Sequence, residues 1–381
     1  MSAVLDSSMP ASPSALPEGQ GSRIPRAAEG WGARGDGWRN PLALGGLILA
    51  LVGAFLLNLA LGSVRIPLSD VAAVLAGGEA SKASWTYIIL EFRLPKALTA
   101  ILAGAALAVS GLQMQTLFRN PLADPYILGV SAGASLGVAL VVLSTGAATG
   151  FLASVGLLGD LSLILAAITG AAIVTGLVMI VARWLRQAMT LLILGLMMGY
   201  ATGAVVSILI YFSVPEQIQA YITWTFGSFG GVTWRQLGIL APVIGAGLVV
   251  AGLLVKPLNA LLLGEDYARS MGVPVGRVRF WIIASTALLA GAVTAFCGPI
   301  AFLGVAVPHL CRSLFHTSDH RLLVPATMLM GALIALLADL VAAVPGSRAI
   351  LPLNAVTALL GAPVVVWIIV RRGNLRSAFA N

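Results

Sequence analysis

Ten apolar runs occupy most of this chain, near residues 42–62, 97–117, 126–146, 161–182, 189–212, 236–255, 280–297, 299–311, 323–342 and 351–370. Most approach the ~20 residues that a helix needs to cross the ~30 Å hydrocarbon core of a bilayer. One aqueous core could not hide so many of them. Lipid offers backbone N–H and C=O groups no partner, so each run must satisfy its own as a helix. Composition agrees: 59% of residues are hydrophobic, 9% are charged and the mean hydropathy is +0.98. A soluble domain carries about 25% charged residues. The expected class is an all-α polytopic membrane protein.

The seventh and eighth runs decide the topology. Residues 280–310 are too long for one crossing and short for two, but "CGPI" (297–300) interrupts them where a helix cannot continue. The flanking segments 256–279 and 311–322 are both basic, so the chain should enter and leave on one face. That requires two crossings, hence ten helices with both termini in the cytoplasm. Six of the 22 Lys and Arg residues (Arg65, Lys82, Arg93, Lys96, Arg235 and Arg348) then fall outside, and the rest fall inside. The net charge of +8 is read as this bias and not as a nucleic-acid footprint. Residues 1–40, rich in Ala, Gly, Pro, Ser and Arg, are expected to be a disordered cytoplasmic tail with no secretory signal. Trp31 and Trp38 could rest at the interface. Residues 41–373 form the membrane domain, with 256–279 as a cytoplasmic loop and 374–381 as a cytoplasmic tail. Cys297 and Cys311 are expected to be free thiols.

One stretch repeats: "TAILAGAALAVSG" (99–111) aligns without gaps to "TALLAGAVTAFCG" (286–298), with 8 identities in 13 positions. These lie in the second and seventh runs, which this topology points in opposite directions. Runs two to five and seven to ten therefore read as an inverted repeat, which in transporters places a path between the halves.

Chemistry inside the membrane is sparse. An ion-coupled carrier needs charged or titratable groups at mid-membrane. Here Asp339 is the one acid inside a run, near its outer end, and is expected to reach water or an amide. His309, His316 and His320, with Cys311 and Asp319 nearby, match no compact ligand spacing, so no metal site is expected. Lys82, Lys96 and Lys256 follow Ser, Pro and Val, which excludes a nucleotide-binding P-loop. Active transport would need energy from another polypeptide. Gly195, Gly199 and Gly203 recur every four residues on the fifth run, a stripe suited to close helix packing or to lining a path.

The polar stretch "LLLGEDYARSMGVPVGRVR" (261–279) stands out against this background. Its middle reads as a helix of one or two turns between Gly264 and Gly272. Glu265 and Asp266 sit in its first turn, where the helix dipole favours negative charge, and Arg269 follows. It is too short and too weakly apolar to lie on lipid headgroups. A partner's cleft would suit it.

Five stretches, in order, resemble the ABC-transporter permeases that import iron complexes (ferric siderophores, haem) and cobalamin. They are "RLPKALTAILAGAALAVSG" (93–111), "LFRNPLADPYILGVSAGASLG" (117–137), "LGEDYARSMGV" (263–273), "GPIAFLGVAVPHLCR" (298–312) and "LPLNAVTALLGAPVVVWII" (351–369). The resemblance covers about residues 42–372. It implies a homodimer with the path at its interface, two cytoplasmic ATPase subunits and an extracytoplasmic substrate-binding protein. It implies no cofactor and no chemistry by this chain, and ferric siderophore is the favoured cargo, with haem or cobalamin as alternatives. It also assigns Gly264, Glu265, Asp266, Tyr267, Ala268, Arg269, Met271 and Gly272 to ATPase coupling.

In that family an R-L-P-R-like motif offers cations to glutamates of the binding protein. Here "RLPK" supplies Arg93 and Lys96, and lysine lacks the bidentate fork of arginine. A further arginine common after the Ala-Asp pair is replaced by Ala343, so Arg348 is the candidate substitute. "RNPLADP" (119–125) reads as a tight inside turn built by Asn120, Pro121, Asp124 and Pro125. The rival classes are a secondary carrier, which would show mid-membrane charges, and a structural or signalling protein, which would show large extramembrane domains.

Overall fold

In the computed structural model, residues 39–143, 160–182, 184, 188–346 and 350–378 are described. Nearly all of them are helical. Arg39–Ala60 (α1) is followed by a short α2 (Leu68–Leu75) and by Ala83–Tyr87 (α3). A π turn over Ile88–Arg93 carries α3 without interruption into α4 (Leu94–Leu117). Pro95 accounts for the π turn: it has no N–H to give to the preceding turn, and a widened turn accommodates the loss. The resulting 35-residue rod, Ala83–Leu117, is about 50 Å long and exceeds the hydrocarbon thickness.

After a 3-10 turn, Pro125–Leu128, come α5 (Val130–Val142), α6 (Asp160–Ala182), α7 (Ala188–Tyr211), α8 (Pro215–Thr225) and α9 (Trp234–Leu253). The polar stretch follows as α10 (Val255–Leu262) and α11 (Glu265–Ser270). The chain closes with α12 (Val275–Cys297), α13 (Leu303–Phe315), α14 (His320–Ala342) and α15 (Leu353–Ala378). Seven helices among the described residues are long and apolar enough to span a membrane, and Val130–Val142, Leu303–Phe315 and Leu353–Val366 are shorter apolar helices.

Helix limits differ from the apolar runs at the charged ends. Helix α12 starts at Val275 and not at 280, because Arg277 and Arg279 end the hydropathy signal without ending the helix. Helix α15 runs to Ala378, past the boundary expected at 373. The expected N-terminal tail lies outside the described residues, apart from the start of α1.

Small residues set the packing. A Cβ on Gly104 (α4) would lie 2.2 Å from the Gly331 carbonyl (α14), and one on Gly331 would lie 2.3 Å from that of Gly104. Gly137 (α5) meets Ala166 (α6) at 2.0 Å in the same sense. Backbones in contact gain dispersion where lipid supplies no hydrophobic drive between helices. The packing is also mirrored. Helix α4 packs on α14 and α13, while its repeat partner α12 packs on α6 and α5, and α4 and α12 cross each other.

The chain does break at Gly298, which has φ +73°, and it resumes as α13 after Phe302, at φ 69°. Every freed donor needs a protein partner at this depth. The Ile300 N–H reaches the Tyr126 hydroxyl at 3.3 Å, and the Ala301 N–H reaches Asn354 Oδ1 at 3.1 Å. The Cys297 carbonyl accepts from Ser228 N–H at 2.8 Å. Both cysteines are buried, free thiols.

Candidate functional site

One end of the bundle carries α11. Gly264 (φ +111°) and Gly272 (φ +82°) bracket it, in backbone conformations that side chains resist. Ala268 points inward and is fully buried, whereas Tyr267, Ser270 and Met271 face outward. Not all of the charges do. Glu265 accepts from Arg279 Nη2 at 2.6 Å and from Arg269 Nη2 at 3.1 Å, so it fastens α11 to the first turns of α12. Arg269 also bonds Asp266 at 2.8 Å, and the Asp266 side chain is 99% exposed. The surface on offer is therefore Asp266, Tyr267, Ser270 and Met271.

Helix α10 anchors this unit. Leu258 and Leu261 are buried. The Asn259 amide donates to Asp319 Oδ1 at 2.6 Å, while its oxygen accepts from the His320 backbone N–H and lies 2.7 Å from His320 Nδ1. His320 Nε2 lies 2.9 Å from Thr116 Oγ1 on α4. A neutral imidazole with its proton on Nδ1 satisfies all of these. His320 is thus a clamp, and no group of metal-ligating side chains occurs among the described residues.

The "RNPLADP" turn lies on the same end, and Arg119 Nη1 is 3.6 Å from where a Gly264 Cβ would stand. Asn120 Oδ1 accepts from Leu122 N–H at 2.9 Å, and His309 Nε2 lies 2.7 Å from the Pro121 carbonyl. Asp124 Oδ1 accepts from Tyr126 N–H at 2.8 Å and caps the 3-10 turn begun by Pro125. Burial nonetheless pushes the Asp124 carboxyl up to about 6. Because the folded value lies above the unfolded one, the folded state loses stability as pH rises from about 4 to about 6, and above 6 that loss is complete. Asp124→Asn keeps the acceptor without the charge. Its thermal stability is expected to exceed wild type at pH 8, on the order of 2–3 kcal/mol, by roughly half as much at pH 5, and to converge with it only below about pH 4.

Of the glycine stripe, Gly195 abuts the turn: its Cβ would stand 2.0 Å from the Ile127 carbonyl. Gly199 and Gly203 have nothing within 4 Å. Beside them Leu196 and Tyr200 are exposed, so this face of α7 is open in a single subunit.

The opposite end holds the residues expected to dock a partner, and it treats them unequally. Arg93 is only 9% exposed. Its guanidinium donates to the Leu59 carbonyl at 2.6 Å and to the Val64 carbonyl, tying the last turn of α1 to the loop beyond it. It is turned into the subunit, since two carbonyls otherwise unbonded at a helix end attract it. Lys96 forms an ion pair with Asp339 Oδ1 at 2.9 Å, and Asp339 Oδ2 accepts from Asn58 Nδ2 at 2.8 Å. Asp339 does reach an amide, but Lys96 is its unforeseen counter-ion. Arg348 lies outside the described residues. Lys96 and Asp339 line a cavity of about 1050 Å³ with Arg93, Phe92, Phe226 and Phe229.

A helical membrane subunit with a short polar helix at one end and a charged cavity at the other defines a permease-type transport protein. The model of the FecCD transport family matches residues 49–371, and the chain belongs to that family. It is 38% identical over 327 residues to the vitamin B12 import system permease protein BtuC of Klebsiella pneumoniae, covering 86% of this chain and 92% of that one. With the protein of the same name from Escherichia coli K12 it shares 40% identity over 286 residues, 75% of this chain and 84% of that one. A solved metal-chelate type ABC transporter in an inward-facing conformation superposes with a TM-score of 0.76 at 30% identity, covering 87% of this chain and 99% of that chain. PsaBC from Streptococcus pneumoniae shares the fold, with a TM-score of 0.52 at 18% identity, covering 78% and 94%. This chain is accordingly a multi-pass permease subunit of an ABC importer, not a catalytic enzyme.

Proposed function

We propose that two copies of this chain, each crossing the membrane ten times with both termini in the cytoplasm, form the path for a bulky metal chelate. The corrinoid ring of cobalamin is the first candidate cargo. The observation that carries this reading is the near full-length similarity to vitamin B12 import permeases. Ferric siderophore, favoured from the sequence, and haem are the alternatives. The open glycine face of α7 supports a helix–helix contact between the copies. Helix α11 seats in two cytoplasmic ATPase subunits through Asp266, Tyr267 and Met271, and an extracytoplasmic substrate-binding protein docks over the Lys96 cavity. Gly195 then holds helix packing, while Gly199 and Gly203 face the partner copy or the path.

Proteoliposomes holding the permease, its ATPase and its binding protein test the cargo. Cyanocobalamin is expected to stimulate ATP-dependent uptake, and stimulation by a ferric hydroxamate alone would shift the assignment to siderophores. Sidedness has a separate test. A cysteine at Glu79 should react with an impermeant maleimide added to whole cells, and one at Ser318 should not. The native thiols, both buried, give little background. The reverse labelling pattern would invert the topology.

A further inference from the structure

The outer cavity holds three ionised side chains, and their arrangement is informative. Arg93 is turned inward onto two carbonyls, so it fixes the cavity wall and presents little of itself. Lys96 is the accessible cation, with its side chain 28% exposed. Its counter-ion Asp339, 5% exposed, is held from behind by Asn58. An ammonium has three donors, and the pairing with Asp339 leaves others to face the cavity. A carboxylate entering from outside can therefore reach Lys96 without breaking the pair, yet it feels a wall of two cations and one anion.

The geometry points to Asp339 as a resident competitor. It holds Lys96 in place and mutes its charge, so that an acidic side chain of the extracytoplasmic binding protein docks there at short range and weakly. This rests on the proposed docking over the cavity and adds to it the group that limits the strength of docking. The arrangement suits a partner that must be released after each delivery, because a smaller net charge on the wall lowers the association rate and with it the affinity, without removing the contact. The occupant is committed by charge: the most accessible charged group of the wall is the Lys96 cation, and the phenylalanines around it offer apolar surface to a docking partner.

The test measures binding of the cognate substrate-binding protein to the permease–ATPase complex in nanodiscs, across a salt series. Asp339→Asn keeps an acceptor for Asn58 or Lys96 and doubles the net positive charge of the wall. It is expected to tighten binding by roughly three- to ten-fold at low salt, with a steeper loss as salt rises. Lys96→Met with Asp339→Asn removes both charges, and it should bind more weakly than wild type with a flatter salt dependence. Equal or weaker binding by a stably folded Asp339→Asn variant would overturn the inference. Should that variant fail to fold, wild-type affinity in the double variant would overturn it as well. Those results leave the docking reading intact, whereas a wild-type complex that binds no such protein at any salt removes both.

Discussion

Replacing Arg279 with alanine is expected to lower ATP-driven uptake by on the order of 10- to 100-fold while the permease still inserts into the membrane. The Arg279 guanidinium is nearly buried at the base of α12 and lies 2.6 Å from Glu265, the first residue of α11. Truncating one member of a fully enclosed pair costs ~3–5 kcal/mol when it strands the other, but here Glu265 keeps Arg269 at 3.1 Å and loses only its tie to α12. The Glu265 side chain is 23% exposed, so solvent screening reduces that cost to on the order of 2–3 kcal/mol. Each 1.4 kcal/mol is a factor of ten in the population of correctly seated α11. Arg279→Lys should restore part of the uptake. Wild-type uptake in Arg279→Ala would mean that other contacts fix α11. The same geometry shows that reversing Glu265 and Arg269 together is a poor probe of ATPase contact. Those side chains pair with each other, and a cation at 265 would meet Arg279. Tyr267→Ala and Met271→Ala probe the contact itself.

Gly111→Ala is the second large effect expected. Helices α4 and α13 touch through backbone alone at this point: a Cβ on Gly111 would lie 1.9 Å from the Gly304 carbonyl oxygen. No flexible side chain can give way, so one helix must move off the other. Overpacking costs ~1–3 kcal/mol in ordinary cores, and a backbone-to-backbone collision belongs at or above the upper end. Gly238→Ala on α9 is the matched control, an exposed helical glycine with nothing within 4 Å. Thermal unfolding in detergent should show a large drop for the first and little change for the second. Similar melting of both would mean that α4 and α13 do not approach this closely.

Much of this architecture was legible because lipid imposes a simple grammar on the chain. Each apolar run has a helix at its place, and Gly298 with Pro299 marked the break between α12 and α13. The short α2, α8 and α10 carried no comparable signal, since eight to eleven mixed residues suit a loop as well as a helix. The polar helix at 265–270 was readable from its bracketing glycines and charge order. Which of its charges faces a partner was not, because Arg279 lies 14 positions away and meets Glu265 only through the fold. The same holds at the other end. Sequence separated Lys96 from Asp339 by an entire repeat, and nothing local indicated that Arg93 would find the carbonyls of Leu59 and Val64. Asn259 and Asn58, both in regions with no motif, proved to be the amides that secure His320 and Asp339.

The long rod containing α4 has a mechanical meaning. Lys96 in the first turn of α4 and Thr116 in its last are about 30 Å apart. The first is fastened to α14 through Asp339 and the second to His320 at the start of the same helix. Midway, Gly104 and Gly331 press the two backbones together. Two helices riveted at both ends and in the centre behave as a stiff strut, with no freedom to slide or twist against each other. Any yielding within the subunit is left to elements outside this strut, among them α7, whose Gly199 and Gly203 meet no neighbour within the subunit.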